Sequence, residues 1–258
     1  MESGIVYVDG MDIQGVTEAG LKKIEVKYPG DTSDIEKNGG SIAGIIVTLS
    51  EFFIEMASEK LKKALDLAKN KSAYIVIETE NVKNASLLEK LADECRECIR
   101  SSQVKIYIEN GYTNENGRFY HNDYSDGPRL IQLVDKLNLL VAADSFGICI
   151  NVGHANLLGI NVRDMVRVCG KKTGIVHIND NDGNSDYHQM PYTFGTNESE
   201  GQVWDRIYKG LKDIKFDGTL SFETFPTMNS FPKGMSASVL KTICSIGEYM
   251  AERIENEG

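Results

Sequence analysis

Short runs of β-branched and aliphatic residues recur along the chain at Ile5–Val8, Lys23–Val26, Ala43–Thr48, Tyr74–Glu78, Val104–Glu109, Gly147–Asn151, Gly174–Ile178 and Thr219–Glu223. Most are continuous apolar runs rather than alternating ones, the pattern of parallel strands buried on both faces. Between the later runs lie stretches with apolar residues at i, i+3 and i+4. Phe52–Lys69 carries Phe53, Met56, Leu61, Ala64, Leu65 and Ala68, and Ala85–Arg100 carries Leu87, Leu88, Leu91 and Cys98. Asp126–Leu137, Val162–Cys169, Gln202–Leu211 and Ser236–Ile254 follow in the same manner. Eight strands alternating with amphipathic helices predict a (β/α)8 barrel of the TIM type, with a doubly wound open sheet as the alternative. The strand count favours the barrel, and so does the absence of a Gly-rich phosphate fingerprint: no GxGxxG follows the first strand.

The first quarter departs from the ideal. Only Gly10–Lys22 separates the first two strands, and Pro29–Ser41 separates the second from the third. Neither gap holds a full helix with both loops, so the early helices are expected to be reduced or missing. A bare parallel sheet face would expose apolar surface, which predicts a homodimer whose second copy covers that flank. No Pro- or Ser-rich linker divides the 258 residues, and barrels of this type take about 250, so residues 1–258 read as one domain.

Charge narrows the partners. With 28 basic against 38 acidic residues the net charge is -10, which argues against nucleic acid and against an anionic membrane surface. The start, MESGIVYVDG, has no basic and apolar leader pattern, and no run approaches the ~18 to 20 apolar residues of a membrane span. The expected location is cytoplasmic. Five cysteines, an odd number with Cys149 in an apolar run, fit reduced thiols. Cys95 and Cys98 have CxxC spacing but lie inside a helical pattern without a second pair, so helix packing is read ahead of zinc or redox use.

The chemistry gathers in Thr173–Pro191, TGIVHINDNDGNSDYHQMP, where a short apolar strand breaks into Asn, Asp and Gly. This stretch holds two of the four histidines, His177 and His188, with Asp180 and Asp186 between them. Alone, these are turn formers and a core histidine. The argument comes from the other strand ends, because barrel active sites are built there. The fifth strand ends on Glu109, the sixth on Asn151 with His154 one turn later, the seventh on His177, and the eighth on Glu223. Glu109, Asn151, His177 and Glu223 make a mainly oxygen ligand set that suits one divalent metal ion, Mn, Mg or Co, and admits Zn. Such an ion would hold a carbonyl and its neighbouring hydroxyl, with Glu109 and Glu223 moving protons on either side. That is isomerisation or epimerisation of a sugar through an enediolate.

IYIENGY around Glu109, GICINVGHAN with Asn151 and His154, VHINDNDGNSDYH with His177, Asp186 and His188, and LSFETF with Glu223 together resemble the xylose isomerase-like TIM barrel superfamily of sugar isomerases and epimerases. The resemblance covers the second half of the chain. It implies that Glu109, His177 and Glu223 ligate the metal, that the two glutamates double as acid and base, and that His154, Asp186 and His188 stand behind the metal or touch substrate hydroxyls. The usual phrase of the family on the sixth strand has an aspartate where this chain has Asn151, which removes a charge and is expected to weaken or abolish metal binding. The endonuclease branch uses extra histidines from earlier strands, and this chain has none before His121.

The expected activity is thus a metal-dependent sugar, sugar-acid or sugar-phosphate isomerase or epimerase with a small carbohydrate as substrate. The alternatives are an inosose dehydratase-like lyase and a catalytically inactive carbohydrate-binding barrel. Trp204 and Tyr192 are weaker candidates for stacking on a sugar, with packing the better reading of Trp204. The polar loop Tyr112–Asp126 reads as a lid or a mobile solvated segment; as a lid it would bring Arg118 or His121 to a substrate anion.

Overall fold

The structure, a computed structural model, describes residues 1–49, 54–82, 86–194 and 204–256. The helix starts expected at Phe52, Ala85 and Gln202 lie outside the described residues, as does Phe53.

Eight parallel strands close into a barrel. They are β1 (Glu2–Tyr7), β2 (Lys23–Lys27), β3 (Ser41–Thr48), β4 (Tyr74–Glu78), β5 (Ile106–Glu109), β8 (Phe146–Asn151), β9 (Thr173–Ile178) and β10 (Thr219–Phe222). Two further strands, β6 (Thr113–Glu115) and β7 (Arg118–Tyr120), form a hairpin outside the ring. The ring closes where β1 pairs with β10, Glu2 opposite Thr219. Every apolar run named from the sequence is a barrel strand, displaced by three residues or fewer at its ends. The register aligns the functional tips, setting Asn151 opposite His177, and His177 opposite Ser221.

The early helices are short, as the gaps require: Ile13–Glu18 and Ser33–Lys37. Asp12 caps the first by accepting from Gly15 N at 3.0 Å. The C-terminal helix Ser236–Asn256 packs against that short helix and against β1. Among the described residues, none of the exposed large apolar side chains falls in residues 1–49, the flank where a second copy was expected.

The later helices are full: Ile54–Lys71, Gly127–Val141, Val162–Cys169 and Trp204–Asp213. The expected helix over 85–100 is two, Ser86–Glu94 and Arg96–Ser102, broken at buried Cys95, so the CxxC spacing straddles a break and Cys98 is exposed. Among the described residues, no helix is long and apolar enough to cross a membrane.

Inside the barrel, Val6, Ile46, Val76, Cys149 and Ile175 form an apolar plug against which Tyr74 and Tyr107 pack. Gly44 leaves room for one of these rings, since a Cβ there would stand 2.4 Å from Tyr74 Cε2. The space lets the Tyr74 hydroxyl reach Glu25 on β2 at 2.5 Å. A polar layer therefore begins directly above the plug.

Within the segment Tyr112–Asp126, expected to be a lid or a mobile solvated loop, lies the β6–β7 hairpin, turned by Asn116 and Gly117 with φ of 55° and 79°. An Asn-Gly pair between two short extended segments is a strong hairpin signal, and the sequence carried it.

Candidate functional site

The polar layer is centred on His177. Its Nδ1 lies 2.8 Å from Glu109 Oε1 and 3.4 Å from Glu223 Oε2, and its Nε2 lies 2.9 Å from Glu25 Oε2. Asn151 Nδ2 donates to Glu109 Oε1 at 3.0 Å and to Glu223 Oε2 at 2.8 Å. All four strand-tip residues expected from the sequence thus meet at one point, and all are buried. Asn151 Oδ1 faces the other way. It accepts from His154 N at 3.1 Å, capping the helix Val152–Leu157, and from Asn179 Nδ2 at 3.0 Å.

A second group stands beside it. His154 Nδ1 sits 2.8 Å from the Asn110 carbonyl, which makes that nitrogen the donor. Its Nε2 is 3.3 Å from Glu80 Oε1 and 3.9 Å from Asp186 Oδ2, off the line of a hydrogen bond to either. His188 joins the two groups, with Nδ1 3.2 Å from Asp186 and Nε2 3.4 Å from Glu223. The Tyr112 hydroxyl donates to Asp186 Oδ2 at 2.8 Å, and the Tyr112 ring packs edge-on against both Phe119 of the hairpin and His154. The hairpin thus sets Phe119 against the ring that meets His154.

Burial and charge pull the titratable groups apart. Burial raises the Glu109 carboxyl above its ordinary value despite the opposing pull of His177. Burial also opposes ionisation of Glu223, but His177 and His188 overcome it and hold that carboxyl well below the usual range. Burial works against the charge on His154, yet Glu80 beside it pushes the imidazole up to about 9. The same contest, won by Asp186 and Glu223, raises His188 to about 11. Two carboxyls displaced in opposite directions at one centre suit an acid and a base.

Asp180 carries a separate consequence. Burial lifts its carboxyl from 3.8 to about 6, against backbone N–H groups such as that of Phe194 at 3.2 Å, which lower it. Between these values the folded chain holds a proton that the unfolded chain has released, so stability falls as pH rises through this window. Two pK units correspond to about 3 kcal/mol. Asp180→Asn removes this penalty: urea unfolding at pH 4 and pH 7 is expected to show the variant gaining up to about 3 kcal/mol on the wild type between the two. A constant difference would show that Asp180 ionises normally.

Several contributors were not read from the sequence. Glu25 lies inside the strand KIEVK, where only the inward direction of its side chain brings it to His177. Glu80 follows β4 rather than ending it. Asn110 grips the backbone of Asn151, accepting from its N at 2.6 Å and donating to its O at 3.0 Å. Lys27 donates to Glu78 Oε1 at 2.7 Å; burial works against its charge, but Glu78, with Glu223 and Glu109 beyond, raises its pKa. A pocket of about 270 Å³ opens beside Lys27, lined also by Tyr7, Asp9, Tyr28 and Asp31.

Other candidates are placed elsewhere. Arg118 and His121 are exposed, and His121 lines a surface hollow with Glu115, Asp123 and Arg129. Trp204 is buried against Tyr192, whose hydroxyl meets that of Tyr208, so these rings are packing.

Among the described residues, three groups have the spacing to hold a cation: Glu109 with Cys149 and His177, His154 with Asp186 and His188, and Glu80 with Glu109 and His154.

The sequence profile of the xylose isomerase-like TIM barrel family matches residues 82–242. The solved structure of an L-ribulose 3-epimerase is similar with a TM-score of 0.71 at 15% identity, over 100% of this chain and 97% of that one. D-allulose 3-epimerase from Methylomonas sp., in complex with D-allulose, gives 0.72 at 16% identity over 97% of each chain. D-psicose 3-epimerase from Clostridium cellulolyticum H10, with D-tagatose, gives 0.70 at 14% over 97% of this chain and 99% of that one. At these identities the likeness is one of fold. No curated protein matches the chain in sequence.

Proposed function

The chain belongs to the xylose isomerase-like TIM barrel family, and from that footing we propose that it is a sugar isomerase or epimerase whose proton-transfer pair is Glu109 and Glu223. The observation that carries the reading is the meeting of these two buried carboxylates at strand tips, each within 3.0 Å of the one amide nitrogen of Asn151. A carbon acid placed between them can lose a proton to one carboxylate and receive a proton from the other on the opposite face, which inverts that carbon. Transfer to the neighbouring carbon from the same side gives the ketose–aldose isomerisation. The similar structures include 3-epimerases of L-ribulose and D-allulose, both ketoses, so a free ketose or ketose acid is the substrate class to try first.

The fit of a divalent ion differs between the two groups of residues. Around Glu109, Asn151, His177 and Glu223 the amide of Asn151 turns hydrogens, not a lone pair, towards the centre, so four ligand atoms are not offered. Around His154, Asp186 and His188 the ligand atoms lie within 4.8 Å of one another, and His154 Nε2, whose ring is oriented by Asn110, is buried without a hydrogen bond. These residues fit an ion such as Mn, Co or Zn, which would supply Lewis-acid polarisation of a substrate oxygen. Tyr112 would orient Asp186 and Asn110 would orient His154, while His188 would link them to Glu223.

The test is incubation with a ketose panel in D2O, read by NMR. Deuterium at the carbon next to the carbonyl, with growth of the epimer or aldose, is the expected result. Loss of water from the product would point to the dehydratase reading. Saturable ketose binding without any exchange would favour the binding barrel, the reading that Asn151 in place of a charged residue supports.

A further inference from the structure

A carboxylate at the tip of β8 would have two equivalent oxygens, one able to cap the following helix while the other faces a cation. Asn151 has one oxygen, and it is already engaged by His154 N and Asn179 Nδ2. Its orientation is fixed on both sides. Turning the amide over would set its NH2 group against the His154 backbone N–H and its oxygen against two carboxylates, exchanging hydrogen bonds for repulsions. Nor can the strand tip slide to bring the oxygen round, because Asn110 holds both the N–H and the carbonyl of Asn151. Gly153 tightens the arrangement: a Cβ there would fall 1.8 Å from Asn179 Oδ1, so the helix start is pressed directly against the Asn179 side chain. A divalent cation at the centre requires lone pairs from its neighbours. Two amide hydrogens occupy that direction instead.

We propose that Asn151 is a built-in substitute for a metal ion: its two amide hydrogens hold Glu109 and Glu223 together, the centre of Glu109, Asn151, His177 and Glu223 takes no divalent ion, and Asn151→Asp alone converts it into a divalent-metal site. The inference concerns this centre and stands apart from which carbohydrate the chain acts on, and from whether His154, Asp186 and His188 hold an ion of their own.

The experiment is isothermal titration of Mn²⁺ into the full chain, stripped with chelator, as wild type, Asn151→Asp, His177→Gln and the double variant. His177 serves as the reporter because it belongs to this centre and not to the His154–Asp186–His188 group. Wild type and His177→Gln are expected to give the same isotherm. Asn151→Asp is expected to gain one equivalent of Mn²⁺ that neither of these shows, and the double variant to lose it. A wild-type event abolished by His177→Gln overturns the proposal. So does an Asn151→Asp protein that melts cooperatively yet binds no additional equivalent. Wild-type crystals soaked in Mn²⁺ decide the matter if the variants do not fold: anomalous density between Glu109 and Glu223 overturns the proposal, and its absence there supports it.

Discussion

Glu109→Gln and Glu223→Gln are each expected to lower kcat for ketose epimerisation by about 10²- to 10⁴-fold, the range for loss of a positioned proton-transfer group. Each glutamine keeps an oxygen that can accept from Asn151 Nδ2, so the hydrogen-bonded frame survives while the proton carrier is lost. The two variants should fail differently. With Glu223 replaced, the epimer whose proton faces Glu109 still exchanges with D2O while its partner does not; with Glu109 replaced, the pattern reverses. Rate losses under tenfold in both, with cooperative melting unchanged, would show that the glutamates are structural.

The second large effect is on stability. His177→Leu leaves Glu25, Glu109 and Glu223 buried without the imidazole that lies 2.9, 2.8 and 3.4 Å from them. Breaking a buried charge pair by removing one partner costs about 3–5 kcal/mol, because an uncompensated charge remains. Urea unfolding should show a loss of that size. Adding Glu25→Leu removes one stranded carboxylate and is expected to return part of it, since an apolar pair can replace a buried ionic one at little net cost. Tyr74 limits the recovery, as its hydroxyl then loses Glu25 as acceptor. A double variant no more stable than His177→Leu would mean that Glu25 has no energetic link to the histidine.

How far the sequence revealed all this depended on the kind of signal. Continuous apolar runs identify buried parallel strands whatever surrounds them, so all eight barrel strands were legible, and the short gaps near residues 10–22 and 29–41 announced the reduced helices. Strand-tip residues were legible for the same reason: once strands are placed, Glu109, Asn151, His177 and Glu223 follow by position. Glu25 was not, because a charge within a strand reads as a solvent-facing position unless the inward direction of its side chain is known. Asn151 was visible as a departure from the family pattern, but its meaning lies in which end of the amide faces the glutamates. That is fixed by Asn110, Asn179 and the start of the helix at Val152, contacts that no local pattern encodes. The hairpin at Asn116–Gly117 had a local signal, which the length and polarity of the surrounding loop obscured.

The closure of the ring has a consequence in time as well as in space. β1 reaches β2, and β2 reaches β3, through crossovers whose helices have only six and five residues, whereas Glu2 meets Thr219 across nearly the whole chain. The entropy of closing a loop grows with its length, so local pairings form ahead of distant ones. The first three strands should assemble early, and the seam at β10 last, with the amides of Thr219–Phe222 gaining protection after those of β2 and β3 in pulse-labelled refolding. Glu223 follows β10 directly, and since β10 also pairs with β9, Ser221 opposite His177, its place beside Asn151 depends on that nearer pairing rather than on the seam. A chain with the ring still open at β1 and β10 would carry Glu109 and Glu223 on one run of neighbouring strands but leave Glu25 at the far end of the sheet from His177, which makes ring closure the step that completes the contacts of that imidazole.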